Sequence, residues 1–600
     1  MAKKKGWIIF FVLLGIFVLF GVMFLLGIKT FMEDKPIVQK NTVLKITLSG
    51  LVTEKLSRDA FGRELEGANL QMYDIQRGLK MAKVDHRIPG VYVRLGGMSL
   101  GWAKAQEIRQ LLENFKKSGK FVTTFMSGCD EKSLYLSLAA DDVYLQPHSG
   151  SELNGFAAEL PFLKRLFKKV GIQPQVERIG KYKSAGDIFT RESMSPAQQE
   201  ATQALLADIN DDFVTAVCQK FNLSRKDFTN RLNKGIFRAE DIYGLNFVTG
   251  LKYESQVLDE IKQKIYSADS SAAVDKTLHT IDIRRYAKVS PAEVGLNKGE
   301  KIALIYAVGT ITSGSSGYEG LSGRTMGAQS IMQMLRTAGK NDKIKAVVLR
   351  VDSPGGSGLA SDNIWSAVQK LRKKKPVIIS MGDVAASGGY WISMGSDAIV
   401  AQPLTITGSI GVLSLLFNLS ETYNKLGIDW ATVKTGDHAD IMTDKRALTP
   451  DEWKIFKQMN RDFYQYFVEK AADGRNKTFT EIDKVAQGRV WSGKRALQYG
   501  LVDTLGGLDV ALQVAKNKVG LKASAPTQWI VYPQPKSFFE TLFEKLSVKA
   551  VNVLSSEKTD ISLRKNLPIE TRNLLQKVAA VALVKKGDVL ALATDIPEVN

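Results

Sequence analysis

Ser387 stands in the stretch DVAASGGYWIS, Asp383–Ser393, between two alanines and two glycines. Small neighbours allow tight helix packing, and they also let a second molecule reach a hydroxyl. A serine hydroxyl is a weak nucleophile and needs a base beside it. The chain has four histidines, His86, His148, His279 and His438, and none lies in a triad setting. A lysine does the same work where burial favours its neutral form. Lys183, in GKYKSAGD (Gly180–Asp187), is followed by Ser184, Ala185 and Gly186, small residues that permit close packing around an amine. Lys181 is the confounder for that role, and His438 is the other alternative base. In DSPGG (Asp352–Gly356), Gly355 and Gly356 follow a proline. Their N–H groups form a simple turn, or a donor pair aimed at a developing oxyanion. The chemistry these residues suit is acyl transfer through a covalent serine ester.

An internal repeat ties these residues together. IPGVYVR at Ile88–Arg94 matches IKAVVLR at Ile344–Arg350, an offset of 344 − 88 = 256. Held without a gap, the offset pairs Ser137 with Ser393, Asp141 with Asp397 and Gly155 with Gly411. The Tyr243–Leu245 triplet YGL recurs at Tyr499–Leu501, again 256 later. Each copy alternates short apolar runs with amphipathic stretches, which predicts an α/β fold with a largely parallel sheet. At this offset Ser387 faces Glu131, DSPGG faces GGMSL (Gly96–Leu100), and Lys183 faces Ala439. The serine and the Gly-Gly belong to one copy and the lysine to the other. A site built from both copies follows.

The remaining organisation bounds the function. Six hundred residues imply more than one core, and 44% hydrophobic content is enough to fill them. Lys3, Lys4 and Lys5 precede the uncharged run Trp7–Ile28, long enough to cross a bilayer as a helix. Its exit lacks a small-residue cleavage site, so an uncleaved anchor with a cytoplasmic N-terminus is expected. The expected organisation is 1–6 cytoplasmic, 7–28 transmembrane, 40–274 first repeat domain, 275–300 linker, 301–525 second repeat domain and 526–600 tail. SFFETLFEKLSVKAVNVL (537–554) in the tail has helical periodicity without evident chemistry. A net charge of +20 permits nucleic-acid or anionic membrane partners. No basic, aromatic-laced module accompanies it, so no nucleic-acid partner is expected. Cys129 and Cys218 have neither a framework partner pattern nor metal-ligand spacing. No disulfide, metal or cofactor is expected.

DSPGG, MGDVAASGGYWIS, TGSIGV (Thr407–Val412), GKYKSA and GRVWSGKRALQYGLVDTLGG (Gly488–Gly507) together resemble the long, two-domain form of signal peptide peptidase A, a bacterial membrane-anchored Ser-Lys protease. The likeness covers most of residues 1–525. It implies two tandem domains of the crotonase and Clp protease superfamily, with Ser387 as nucleophile and Lys183 as general base. It also implies Ser409 as the serine that hydrogen-bonds the lysine amine, and a ring-like homo-oligomer, a tetramer. One departure is KSAGDIF, where the family often continues Val-Glu-Pro. The substrates implied are peptides near the inner membrane, cleaved signal peptides among them, met on its extracytoplasmic side. Two other readings stay open: a crotonase-type acyl-CoA enzyme, which shares the Gly-Gly oxyanion hole, and a catalytically idle membrane scaffold.

Overall fold

The computed structural model describes residues 36–55, 69–266, 277–319, 323–533, 590–592 and 598–599. The anchor expected over Trp7–Ile28 and the helical pattern at 537–554 lie outside them. Among the described residues no helix is long and apolar enough to cross a membrane.

Two sheets carry the repeat. The first runs Gly250–Leu251, Asp142–Leu145, Phe121–Met126, Gly90–Ser99, Val43–Thr53 and Thr280–Asp282, with every neighbouring pair parallel. The second runs Val490–Ser492, Ile406–Gly408, Val377–Ala386, Ile344–Ser353, Glu300–Val308 and Thr527–Tyr532, parallel except at the Val490–Ser492 edge. Strands covered on both faces read as continuous apolar runs. In Ala346–Val351, AVVLRV, every residue is buried, the arginine included.

Both expected flanks of the second domain are more structured than the sequence suggests. Within 275–300, Thr280–Asp282 pairs with Val43–Lys45, and Ile283 and Tyr286 are buried in the first core. Past residue 525, Thr527–Tyr532 pairs with Glu300–Ile305. The repeat also changes register. Strands beginning at Phe121 and Val377, and at Asp142 and Ala398, keep the 256 offset. The long helices Pro196–Phe221 and Pro450–Arg475 correspond at 450 − 196 = 254, as do the strands Ile236–Arg238 and Val490–Ser492. Left-handed Asn246 and Gly500 then occupy matching turns, also 254 apart. The two YGL triplets are therefore out of register by two residues, and their agreement with 256 is coincidental.

Two devices join the copies. Gln173–Ile179, from the first copy, adds antiparallel to Val412–Asn418 of the second, from Ile179 opposite Val412 to Gln173 opposite Asn418. Phe167, Ile188 and Phe189 bury themselves against Leu413 beside that seam. The second device is a buried charge cluster. The Arg350 guanidinium donates to both Glu54 oxygens at 2.9 and 3.0 Å, to Glu107 at 2.7 Å, and to Ser380 and Met381 of its own copy. Lys104 bridges Asp352 at 2.7 Å and Asp383 at 2.9 Å. Burial opposes the Lys104 charge, but Asp352, Asp383 and Glu54 outweigh it and raise its pKa. Burial pushes the Glu54 carboxyl up. The helix Trp102–Lys116 starts at Gly101, which has no side chain to cap it. Asp383 of the other copy supplies the cap, accepting from the Gly101 and Lys104 N–H groups at 3.1 and 2.8 Å.

Arg350→Met would leave two buried carboxylates facing each other without their cation. Removing one partner of a buried pair costs about 3–5 kcal/mol. The chemical-denaturation midpoint should fall accordingly, and a shift worth less than about 1 kcal/mol would show that the cluster is not what joins the copies.

Candidate active site

Three loops leave the second sheet at the same end. The strand Val377–Ala386 stops at Ser387, and the helix Gly388–Trp391 begins directly after it. On one side, Ile344–Ser353 runs through Pro354 into the short strand Gly355–Ser357. On the other, Ile406–Gly408 pairs with Val384–Ala386 and hands on to Ser409. Open α/β sheets collect their ligand-facing groups at the carboxyl ends of neighbouring strands. The local sequences explain the turns. Ser387 has φ 56° and ψ −115°, a conformation costing a side chain about 1–3 kcal/mol. The alanines and glycines around it let the chain turn that sharply. Gly356 has φ 152°, and a Cβ there would lie 2.1 Å from the Ile311 carbonyl oxygen.

Lys183 arrives from the first copy. The strand Gln173–Ile179 leads into Gly180, and the Tyr182 N–H donates to the Gln487 carbonyl at 2.8 Å. Gly488 lies against the Lys183 backbone; a Cβ on it would sit 2.6 Å from the Lys183 nitrogen. Arg178 bonds the Lys183 carbonyl at 3.2 Å and the Asp187 carboxylate at 2.5 Å. Asp187 thus gives KSAGDIF a local purpose: its buried carboxylate fixes the arginine that fixes the loop. The Lys183 amine donates to Ser387 Oγ at 2.7 Å, Ser409 Oγ at 3.0 Å and the Ser409 carbonyl at 3.1 Å. Lys183 and Ser387 are 0% exposed and Ser409 is 1% exposed.

The other candidates lie elsewhere. Lys181 is at the surface, 66% exposed, beside Tyr182 and Glu200. His438 is half-exposed, 3.8 Å from Glu452, and Ala439 is exposed next to it. The Gly355 N–H donates to Ser353 Oγ at 3.2 Å, so it must release that hydroxyl before it can serve an oxyanion. Gly388, unremarked in the sequence, heads the helix after Ser387. The residue following a nucleophile on such an elbow is a standard second donor, and that position was the available signal. Asp352 and Asp383 open the two motifs that carry Gly355 and Ser387, and both bind Lys104 of the first copy. Among the described residues no cluster of metal-ligating side chains occurs.

The first copy shows what the site becomes without its serine. Glu131, at Ser387's position in the repeat, is buried, and its Oε1 accepts the Asn154 and Gly155 N–H groups at 2.9 Å each. Burial raises its carboxyl pKa.

The comparisons with known proteins agree with this architecture. The family model for peptidase family S49 matches residues 114–266 and again 369–522, and the Clp protease model matches residues 322–402. The chain is 35% identical over 86% of its length to a chloroplastic serine protease, SPPA, of Arabidopsis thaliana, spanning 75% of that protein. It is 33% identical to Protease 4 of Salmonella typhi, over 80% of this chain and 78% of that one. Protease 4 of Haemophilus influenzae is 30% identical, over 76% of this chain and 75% of that one. With the S49 model matched twice in tandem and this similarity along most of its length, the chain belongs to peptidase family S49 and is a serine protease of the long, two-domain kind.

Proposed function

We propose that this protease works through a Ser387–Lys183 dyad and degrades membrane-proximal peptides, cleaved signal peptides among them. The observation that carries the reading is the 2.7 Å hydrogen bond between the buried Lys183 amine and Ser387 Oγ. A neutral amine has two N–H donors and one lone pair. In the neutral amine the Ser409 hydroxyl and carbonyl take up both donors, so the contact with Ser387 reverses and the Ser387 O–H donates to the lone pair. Ser387 Oγ attacks the scissile carbonyl carbon while its proton passes to the Lys183 amine. The oxyanion is met by the N–H groups of Gly356 and Gly388, with Gly355 joining once it releases Ser353. Lys183 then protonates the departing amine, leaving an acyl ester on Ser387. Water attacks that ester with Lys183 again as base, and Ser387 is restored.

The site's surroundings are proposed from the sequence. The run Trp7–Ile28 and the lysines before it favour an anchor in the inner membrane with the catalytic bulk on the extracytoplasmic side. A homo-oligomer, a tetramer by family likeness, is favoured by the second copy's counterpart of the Lys183 arm. There Leu426, Ile428, Trp430 and Val433 are 68%, 41%, 54% and 100% exposed, an apolar strip of the kind an interface covers. Light scattering of the purified chain should give a multiple of 66.2 kDa; a monomer at working concentration would remove the oligomer.

Ser387→Ala should abolish labelling by a fluorophosphonate and hydrolysis of a fluorogenic peptide. Lys183→Ala should lower kcat about ten-thousandfold or more while leaving the unfolding midpoint near wild type. Substantial turnover in Lys183→Ala would mean that another group is the base. The rate should also depend on pH in one direction. Only the unprotonated amine accepts a proton, so log kcat/KM should climb about one unit per pH unit from the acid side and then level. A flat profile through that range would rule out an amine base.

A further inference from the structure

The two strands that carry the site's loops fall out of step just before they end. Val351 pairs with Met381 and Ser353 with Ala385, so Gly382, Asp383 and Val384 stand opposite Asp352 alone. A bulge of this kind bends its strand and re-aims the side chains beyond it, and Ser387 follows shortly after. Side chains replace the missing ladder. The Val384 N–H donates to Asp352 at 3.0 Å. The buried Lys104 amine of the first copy meets the bulge and holds Asp352 at 2.7 Å and Asp383 at 2.9 Å. Gly382 makes room for this arrangement: a Cβ on it would lie 2.9 Å from Asp352 Cβ and Cγ and 3.0 Å from Glu54 Oε1. One amine thus ties together the first residues of DSPGG and DVAASGG.

The repeat divides these residues as it divides the dyad. The helices Trp102–Lys116 and Gly358–Arg372 correspond at an offset of 358 − 102 = 256. At that offset Lys104 faces Ala360, Asp352 faces Gly96 and Asp383 faces Ser127. The first copy's strands pair from Gly90 opposite Phe121 to Leu95 opposite Met126 and stop where the bulge would begin. The second copy's helix is capped by its own Ser357, which accepts from the Ala360 N–H. The two carboxylates therefore sit in the copy with the serine, and their cation sits in the copy with the proposed base.

We infer that Lys104 is a positioning residue for catalysis: by clamping Asp352 and Asp383 it fixes the bulge, and the bulge aims Ser387 and the Gly355–Gly356 segment at one substrate carbonyl. The inference rests on Ser387 as the nucleophile proposed above. Lys104 touches no reacting atom and moves no proton. Burial opposes its charge, but Asp352, Asp383 and Glu54 outweigh burial, so it stays charged and acts as a clamp, not as a second base.

Peptide-hydrolysis kinetics of Lys104→Met and Gly382→Ala test this, each normalised to sites titrated to completion with a fluorophosphonate. Titration counts folded, competent sites, so a role in stability alone lowers the count and leaves kcat per site unchanged. Lys104→Met removes the clamp. Gly382→Ala forces Asp352 away from the bulge while every charge stays in place. Misplacing a reacting group by about 1 Å costs about a hundredfold. Lys104→Met should therefore lower kcat per site about a hundredfold with KM little changed. Gly382→Ala should lower it too, and it decides the matter if Lys104→Met does not fold. Wild-type kcat per site in either folded variant would overturn the inference and leave the dyad standing. A rise in KM with kcat intact would overturn it as well, because the clamp would then serve binding alone. No label and no hydrolysis in the native chain would sink the nucleophile, and the clamp's role with it.

Discussion

One hydrogen bond sets the terms for this molecule: an amine and a hydroxyl 204 residues apart must be held at 2.7 Å, out of water. A surface contact between two independent domains would not hold that geometry, since interfaces of ordinary size leave domains free to move. The strand addition at Gln173–Ile179 removes the freedom by pairing the lysine's arm with a strand of the copy that carries the serine. The Arg350 cluster removes it a second time. Buried ion pairs are poor sources of net stability, but one misplaced partner is costly. Arg350 with Glu54 and Glu107, and Lys104 with Asp352 and Asp383, therefore act as a register key. Because Asp383 also caps the helix of the other copy, a slip between the copies would unmake a helix start and an ion pair together.

The two copies divide the labour. In the second, the strand-to-helix turn presents Ser387 in a strained conformation, and Gly356 packs its backbone directly against the Ile311 backbone. In the first, the same turn carries Glu131, whose carboxylate binds the backbone N–H groups of Asn154 and Gly155. Conversely, the arm that bears Lys183 in the first copy has its counterpart in exposed chain around Ala439 in the second. Neither copy alone holds both members of the proposed dyad.

Much of this was legible from local sequence, for a physical reason. A serine in a left-handed turn needs small neighbours, and a backbone in van der Waals contact with another needs glycine, so DVAASGG and DSPGG advertise their geometry. Lys183 was legible through comparison of the copies, because their offset holds at 256 up to that region. The offset then drops by two before the long helices, and the YGL coincidence concealed it. The pairing of Gln173–Ile179 was not legible. QPQVERI has neither a continuous apolar run nor a clean alternation, and it becomes a strand through the edge it meets. Asp383 as a cap in trans was hidden because the helix it caps lies 279 residues away by the Lys104 N–H bond.

The central claim is that Lys183 and Ser387 form one catalytic unit across the two copies. A double-mutant cycle on kcat/KM addresses it most directly, using Lys183→Ala, Ser387→Ala and the double variant with a reactive ester substrate sensitive enough to read residual turnover. Groups acting as a unit are grossly non-additive. The account predicts that the double variant is about as slow as the slower single variant. Losses that multiply would mean that the two residues act independently, and would contradict it.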